Sequence, residues 1–211
     1  EIAQCLVGSE MCIRDRLYQR GNWYYLDEAS TITLFDGIRQ DIELLSLASY
    51  FAEMIECVTA EDEPVPEILS LLLNSLYALD TLQKPQSIVK AAFELKLLAL
   101  SGYEPLLDGC AVCGREPPES PQIHLGEGVV HCAPCREEVG EGISMPLSPS
   151  ALAALRHIVG GDPKRLFSFR VDEASLSQLA QASEAYLMTR LERGFRTLDF
   201  YKTLTLSRSG G

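Results

Sequence analysis

The sequence predicts a mainly α-helical protein, interrupted by a small cysteine-rich β module and preceded by a short β segment. Three observations carry this prediction. Leucine-rich stripes recur at helical spacing on both sides of residues 106–146, four cysteines in two Cys-x-x-Cys pairs lie between those stripes, and an aromatic run precedes residue 36.

Composition sets the bounds. Apolar residues make up 46% and charged residues 23% of the 211, ordinary values for a globular chain with one sizeable core or a core plus a small satellite module. No apolar run approaches the roughly 18 residues that span a bilayer. Glu1-Ile2-Ala3-Gln4 lacks the basic and apolar regions of a secretory signal. A cytoplasmic protein with no membrane contact is expected. The formal charge of −12 repels phosphate, so nucleic-acid contact requires a local basic patch or chain outside this sequence.

Residues Leu6 to Arg16 have neither helical nor strand periodicity, and they match a translation of the transposon-end adapter used in sequencing libraries. Residues 1–16 are therefore expected to be a non-native, adapter-derived segment, with native chain lost before Leu17. From Leu17 to Phe35, Trp23, Tyr24, Tyr25, Ile32 and Leu34 form β-rich runs separated by Asp27-Glu28-Ala29-Ser30, which predicts a strand pair. Two strands alone are marginal, so the pair is expected to be the remnant of a truncated β-domain.

Helices follow. Leu44, Leu47, Ala48, Phe51, Met54, Ile55 and Val58 form one stripe, ended by Glu61-Asp62-Glu63-Pro64-Val65-Pro66. Leu69, Leu72, Leu73, Leu76, Leu79 and Leu82 form a second. Val89, Ala92, Phe93, Leu97 and Leu100 form a third, stopped by Ser101-Gly102 as a glycine cap. Core packing explains these stripes better than ligand grooves. Beyond the cysteines, Ser148-Pro149 supplies an N-cap and a first-turn proline for a helix with Leu152, Leu155 and Ile158, ended by Gly160-Gly161-Asp162-Pro163. A last long helix carries Leu176, Leu179, Ala180, Ser183, Tyr186, Leu187 and Leu191.

The chemistry-bearing motif is the cysteine module. Cys110-Ala111-Val112-Cys113 and Cys132-Ala133-Pro134-Cys135 are two short turns that can each aim both sulfurs at one tetrahedral metal. Gly114 permits a tight turn after the second sulfur. Ile123-His124-Leu125 and Val129-Val130-His131 flank Gly126-Glu127-Gly128 as a hairpin, so a four-cysteine zinc ribbon holding one structural Zn²⁺ is predicted. Four thiolates would add about two negative charges to the chain. The competing readings are redox chemistry and free thiols. A thiol oxidoreductase, however, places one pair at a helix start in a βαβ context, and no such context occurs. His124 and His131 are expected on the ribbon surface. Cys5, Cys12 and Cys57 are scattered.

No catalytic set is found. The histidines His124, His131 and His157 form no His-Glu-x-x-His motif, and neither a nucleophile elbow nor a P-loop occurs. The acidic residues are expected on solvated helix faces. Arg190, Arg193, Arg196 and Lys202 interleave with Phe195, Leu198, Phe200 and Tyr201, which suits either an acidic partner or single-stranded nucleic acid. The plainer reading is a final helix whose cations complement its C-terminal dipole.

Three stretches resemble RecO-type recombination mediators: Phe93 to Pro105 followed by Cys110-Ala111-Val112-Cys113-Gly114, Leu191 to Phe200, and Leu34-Phe35-Asp36-Gly37-Ile38-Arg39-Gln40-Asp41. The likeness runs from about Leu17 to Leu204. It implies a helical domain with an inserted four-cysteine zinc ribbon, preceded by a two-strand remnant of an OB-fold. The boundaries expected are 17–36 for the OB-fold remnant, 37–105 and 147–206 for the helical domain, 106–146 for the ribbon and 207–211 for a tail. The resemblance also implies a non-enzymatic mediator of the RecF pathway that binds single-stranded DNA, RecR and the acidic tail of single-stranded DNA-binding protein. The ligands implied are Cys110, Cys113, Cys132 and Cys135. Candidate partner contacts are Arg190, Arg193, Phe195 and Arg196. The alternatives are a zinc-ribbon adaptor that binds only proteins, and a thiol–disulfide oxidoreductase. Most of the OB-fold that would carry a basic groove and stacking aromatics is missing from this sequence.

Overall fold

The structure, a computed structural model, describes residues 2–4, 12–61 and 63–209. In chain order the elements are β1 (Ile2–Gln4), β2 (Cys12–Arg20), β3 (Trp23–Thr33), α1 (Asp36–Gln40), α2 (Ile42–Val58), α3 (Pro66–Asp80) and α4 (Gln86–Leu100). Then come β4 (Pro121–His124), β5 (Val129–Cys132), α5 (Arg136–Val139), β6 (Ser144–Pro146), α6 (Pro149–Gly160), α7 (Glu173–Leu191) and α8 (Arg196–Ser209). The fold is mainly helical, with a cysteine-bearing ribbon inserted between α4 and α6.

The helices begin and end where local chemistry dictates. Asp41 accepts from the Glu43 and Leu44 amides at 2.8 and 3.2 Å, satisfying donors that the first turn of α2 leaves open. Ser148 accepts from Ala151 N at 3.0 Å with Pro149 in the first turn of α6. Asp172 accepts from Ser175 N at 2.9 Å at the head of α7. At the end of α4, Gly102 N donates to Ala99 O and Tyr103 N to Leu98 O, the paired bonds of a Schellman cap. The predicted stripes face inward: Leu47, Phe51 and Met54, Leu72, Leu76 and Leu79, and Val89, Phe93 and Leu97 are all buried. Phe51 and Phe93 stack at 4.0 Å between ring centroids, and each such burial is worth about 1.5–3 kcal/mol.

The core is not wholly apolar, which corrects the expectation that acidic residues lie on solvated faces. Glu94 is fully buried and accepts from Tyr50 Oη at 2.8 Å and Ser183 Oγ at 2.7 Å. Lys90 Nζ pairs with Glu94 at 2.7 Å and Glu184 at 2.8 Å, and Glu184 in turn meets Lys202. Burial works to lower the Lys90 pKa, but the Glu94 and Glu184 carboxylates overcome it and hold the ammonium above its usual range. The network ties α2, α4, α7 and α8 together at one point.

The N-terminal strands differ from the sequence reading. The predicted turn at Asp27 to Ser30 lies inside one continuous strand, β3, and the hairpin closes instead at Gly21-Asn22, between Arg20 and Trp23. Gly21 has φ +64, the glycine-first pattern of a two-residue hairpin loop. The partner strand begins at Cys12, within the adapter-like stretch, and β1 pairs on its other side. Backbone pairing needs no alternation of side chains, which is why the missing period misled. Residues 5–11 of that stretch lie outside the described residues, as does Cys5. Trp23 is 72% exposed and Tyr18 stacks on Tyr25 at 5.2 Å on the open sheet, as an uncovered remnant of a larger β-domain would.

The basic C-terminal segment is also broken differently. The helix α7 ends at Leu191 with Glu192 left-handed at φ +50, and α8 starts at Arg196. Arg196 thus sits at a helix start, not at a C-terminal dipole end. Glu53 of α2 compensates by accepting from Thr197 N at 3.2 Å and by pairing with Arg193 at 3.5 Å.

Candidate metal centre

The ribbon is a three-stranded antiparallel sheet in the order β5-β4-β6. Its register sets Ile123 opposite Val130 and Met145, and Pro121 opposite Cys132. The chain entering from α4 lays Leu106 against Val129, with Leu106 N donating to Gly128 O at 2.7 Å. Ala111 N then donates to Val130 O at 2.9 Å, which delivers the first cysteine turn to the end of β5. Within that turn Gly114 N donates to Cys110 O at 2.9 Å, and Gly114 has φ +71, a conformation open to glycine. The second turn starts at Cys132, the last residue of β5, and continues as a 3-10 turn over Ala133–Cys135 with Pro134 in its first positions.

These two turns bring Cys110, Cys113, Cys132 and Cys135 together, with all four sulfurs within 4.8 Å of one another. Cys113 Sγ and Cys132 Sγ lie 3.9 Å apart. A disulfide needs about 2.05 Å, whereas four sulfurs each about 2.3 Å from a tetrahedral ion lie about 3.8 Å apart. The sulfurs also accept backbone N–H groups: Cys110 Sγ from Cys113 at 3.5 Å and Cys132 at 3.3 Å, and Cys132 Sγ from Glu119 at 3.1 Å. Burial opposes ionisation of Cys110, but these amides outweigh it and bring its thiol down to about 6. Burial and the neighbouring thiols push Cys135 up to about 12. Burial raises the Cys132 thiol as well, so a metal-free cluster ionises readily at Cys110 and resists ionising at Cys132 and Cys135, whereas a dication would favour all four thiolates. The cluster is geometrically and chemically compatible with a metal ion.

Both ribbon histidines are fully buried, which corrects their expected surface placement. His131 bridges Cys132 O at 2.9 Å and Ser144 Oγ at 2.8 Å, joining β5 to the start of β6. His124 Nδ1 accepts from Glu127 N at 3.0 Å inside the hairpin turn. Neither belongs to the sulfur cluster. Cys57 lies on α2, also outside it.

The ribbon is seated on the helical body by residues that spacing alone did not reveal. Gly128 lies so close to Tyr186 and Arg190 of α7 that a Cβ there would strike both. Tyr186 Oη donates to Tyr103 O at 3.0 Å, and Arg156 Nε of α6 donates to Leu107 O at 2.8 Å. Leu107, Ile123, Leu125 and Val130 join the same apolar core as the helices. The candidate partner contacts scatter accordingly. Arg190 lies over the Tyr186 ring, Arg193 lies over the Phe195 ring and pairs with Glu53, and Arg196 is exposed. Phe195 is 1% exposed and packs edge-on against Tyr50, so it cannot meet a partner at the surface. Its place between two arginines had suggested a surface role; its burial is set by α8 docking on α2.

No described helix is long and apolar enough to cross a membrane. Residues 39–199 match the family described as recombination protein O C terminal, an interval that includes all four clustered cysteines. The chain is 34% identical over 189 residues to DNA repair protein RecO of Acetivibrio thermocellus, covering 89% of this chain and 74% of that protein. It is 30% identical over 188 residues to the RecO of a Thermoanaerobacter strain, covering 89% and 75%, and 29% identical over 189 residues to that of Caldanaerobacter subterraneus, covering 90% and 75%. The family match and these relatives agree: the chain belongs to the RecO family of DNA-repair and recombination proteins, whose members are non-catalytic mediators.

Proposed function

We propose that Cys110, Cys113, Cys132 and Cys135 hold one structural Zn²⁺, and that the chain mediates recombination in the RecF pathway by binding single-stranded DNA, RecR and the acidic tail of single-stranded DNA-binding protein. The observation that carries the proposal is four sulfurs within 4.8 Å on two short turns inside the segment that matches the family. Four soft thiolate donors suit zinc, and a filled tetrahedral shell leaves no open position for substrate. The ion's contribution there is order. In this proposal residues 17–36 are the OB-fold remnant, 37–105 and 147–206 the helical domain, 106–146 the ribbon and 1–16 an adapter-derived start.

Arg190, Arg193 and Arg196 remain the proposed contacts for an acidic partner, now without Phe195. Arginine pairs carboxylates through its planar fork, and such binding weakens with salt. Metal analysis of the purified chain should find about one zinc per chain. Fluorescence anisotropy with a labelled acidic tail peptide should show binding that weakens in an Arg193→Ala, Arg196→Ala double variant. Unchanged peptide affinity in that variant sinks the contact assignment.

A second reading, an adaptor that binds only proteins, draws support from the −12 charge. A labelled single-stranded oligonucleotide separates the two. Salt-sensitive binding favours the mediator reading, and none at low salt favours the adaptor.

A further inference from the structure

The four cysteine residues are unequally shielded. Cys110 and Cys132 are 4% and 2% exposed and Cys135 is half-buried, whereas Cys113 is exposed to solvent. Oxidation of a thiolate is governed by its ionisation and its accessibility, and a metal-bound sulfur is held as thiolate. Cys113 is therefore the residue of the cluster that solvent reaches most, while Cys110 and Cys132 are buried and Cys135 is half-buried. Its approach to Cys132 Sγ, at 3.9 Å, spans the two turns. Cys110, the other sulfur within its own turn, is engaged by two backbone amides, from Cys113 and Cys132. Among the described residues, Cys132 Sγ accepts one such bond from the backbone, from Glu119.

On the reading that the cluster holds zinc, we propose that Cys113 is a peroxide-sensitive modification site whose oxidation ends in a Cys113–Cys132 disulfide and expels the metal. The oxidant is hydrogen peroxide. The Cys113 thiolate attacks one peroxide oxygen, forming an S–O bond and breaking the O–O bond; the departing hydroxide takes a proton and leaves as water. The Cys132 thiolate then attacks the Cys113 sulfur, forming the S–S bond and expelling the second hydroxide, which also leaves as water. Two thiolates lose two electrons, the peroxide gains two, and two protons come from solvent. Cys110 and Cys135 are left as two ligands, too few to retain the ion against water.

The sequence makes the outcome directly readable. Trypsin cuts after Lys96, Arg115 and Arg136, so Cys110 and Cys113 fall in one peptide and Cys132 and Cys135 in another. The full-length chain is first assayed for bound zinc. It is then treated with stepwise equivalents of hydrogen peroxide beside a chromogenic chelator, alkylated, and digested without reductant. The expected result is zinc release in step with one cross-link that joins the two peptides, and no change in that release in a Cys57→Ser variant. Separate peptides that each carry an internal disulfide overturn the proposal, as does zinc retained through several equivalents of peroxide, or slower release in Cys57→Ser. A chain that carries no zinc at the outset overturns the metal assignment and this proposal together. A zinc-loaded chain that releases its ion without the joined peptides overturns this proposal alone.

Discussion

The helical body and the ribbon reach order by different means. The body buries Leu47, Phe51, Phe93, Leu97 and Tyr186 completely and keeps the charged cluster of Lys90 with Glu94 and Glu184 paired and hydrogen-bonded. The ribbon has few buried apolar side chains of its own and gathers four sulfurs instead. A segment of that size cannot bury enough surface to offset its ordering entropy. Yet the two are not independent, since Leu107, Ile123, Leu125 and Val130 belong to the body's core. The ribbon is thus supported from one side by the helices and from the other by its sulfur cluster. That corrects the simpler picture in which the apolar stripes stop where the cysteine module begins.

If the sulfur cluster holds zinc as proposed, removing one of its ligands has the largest expected effect. Cys132→Ser leaves three ligands, and a structural zinc site of this kind contributes on the order of 10 kcal/mol to ordering its ligands. The expected outcome is loss of bound zinc and of amide protection across β4, β5 and β6, with most helical circular dichroism retained. Protection should also fall at Leu107 and Val130, where ribbon and body share core. Cooperative loss of the whole helical signal would mean that the body, too, depends on the cluster.

Next in size is a break in the body that leaves the ribbon alone. Lys90→Met strands the buried Glu94 carboxylate without its ammonium, which costs about 3–5 kcal/mol. Urea unfolding should show this loss while zinc content stays at that of the parent chain. A Lys90→Met, Glu94→Gln double variant should recover part of it, because the uncompensated charge is gone.

The seat between the two regions comes third. Gly128 has φ +68, and a Cβ there would lie 2.5 Å from Tyr186 Oη and also strike Arg190. Gly128→Ala should destabilise by about 2 kcal/mol, combining strain with loss of the Tyr186–Tyr103 hydrogen bond. Hydrogen exchange should place the change at β5 and α7. A change confined to the helices would mean that the hairpin is not seated on them.

The helices, their caps and the cysteine cluster were legible in the sequence because each rests on local spacing. Ser148-Pro149 stands just before the apolar-periodic residues of α6, and Cys-x-x-Cys fixes two sulfurs on one turn whatever surrounds it. The rest depends on partners far along the chain. Glu94 sits on a helix face that only tertiary packing against Tyr50 and Ser183 makes interior. Phe195 reads as part of a basic, aromatic surface until α8 folds back onto α2. His124 and His131 read as surface residues because a two-strand view of the ribbon omits β6, which covers them. The hairpin turn was misplaced because an exposed sheet carries little alternation to mark its register.

The smallest predicted effect tests how α8 is held to the body. Glu53 accepts from the amide and hydroxyl of Thr197 and pairs with Arg193, so it serves as an N-cap supplied by another helix. Burial alone would raise its pKa, but the Thr197 and Arg196 donors and the Arg193 charge hold it below the ordinary 4.5. A carboxyl depressed in the folded state contributes stability that is fully present above its unfolded value and is lost as pH falls through the folded value. Glu53→Ala should therefore cost about 1 kcal/mol at neutral pH, the usual worth of a cap. The gap between variant and parent should narrow as pH drops below 4.5. Since the ribbon lies elsewhere, zinc content at neutral pH should not change, and extra exchange should appear only in α8 and the facing part of α2. A gap that stays constant from pH 7 to pH 3 would show that Glu53 acts through packing, leaving its charge no part in holding α8.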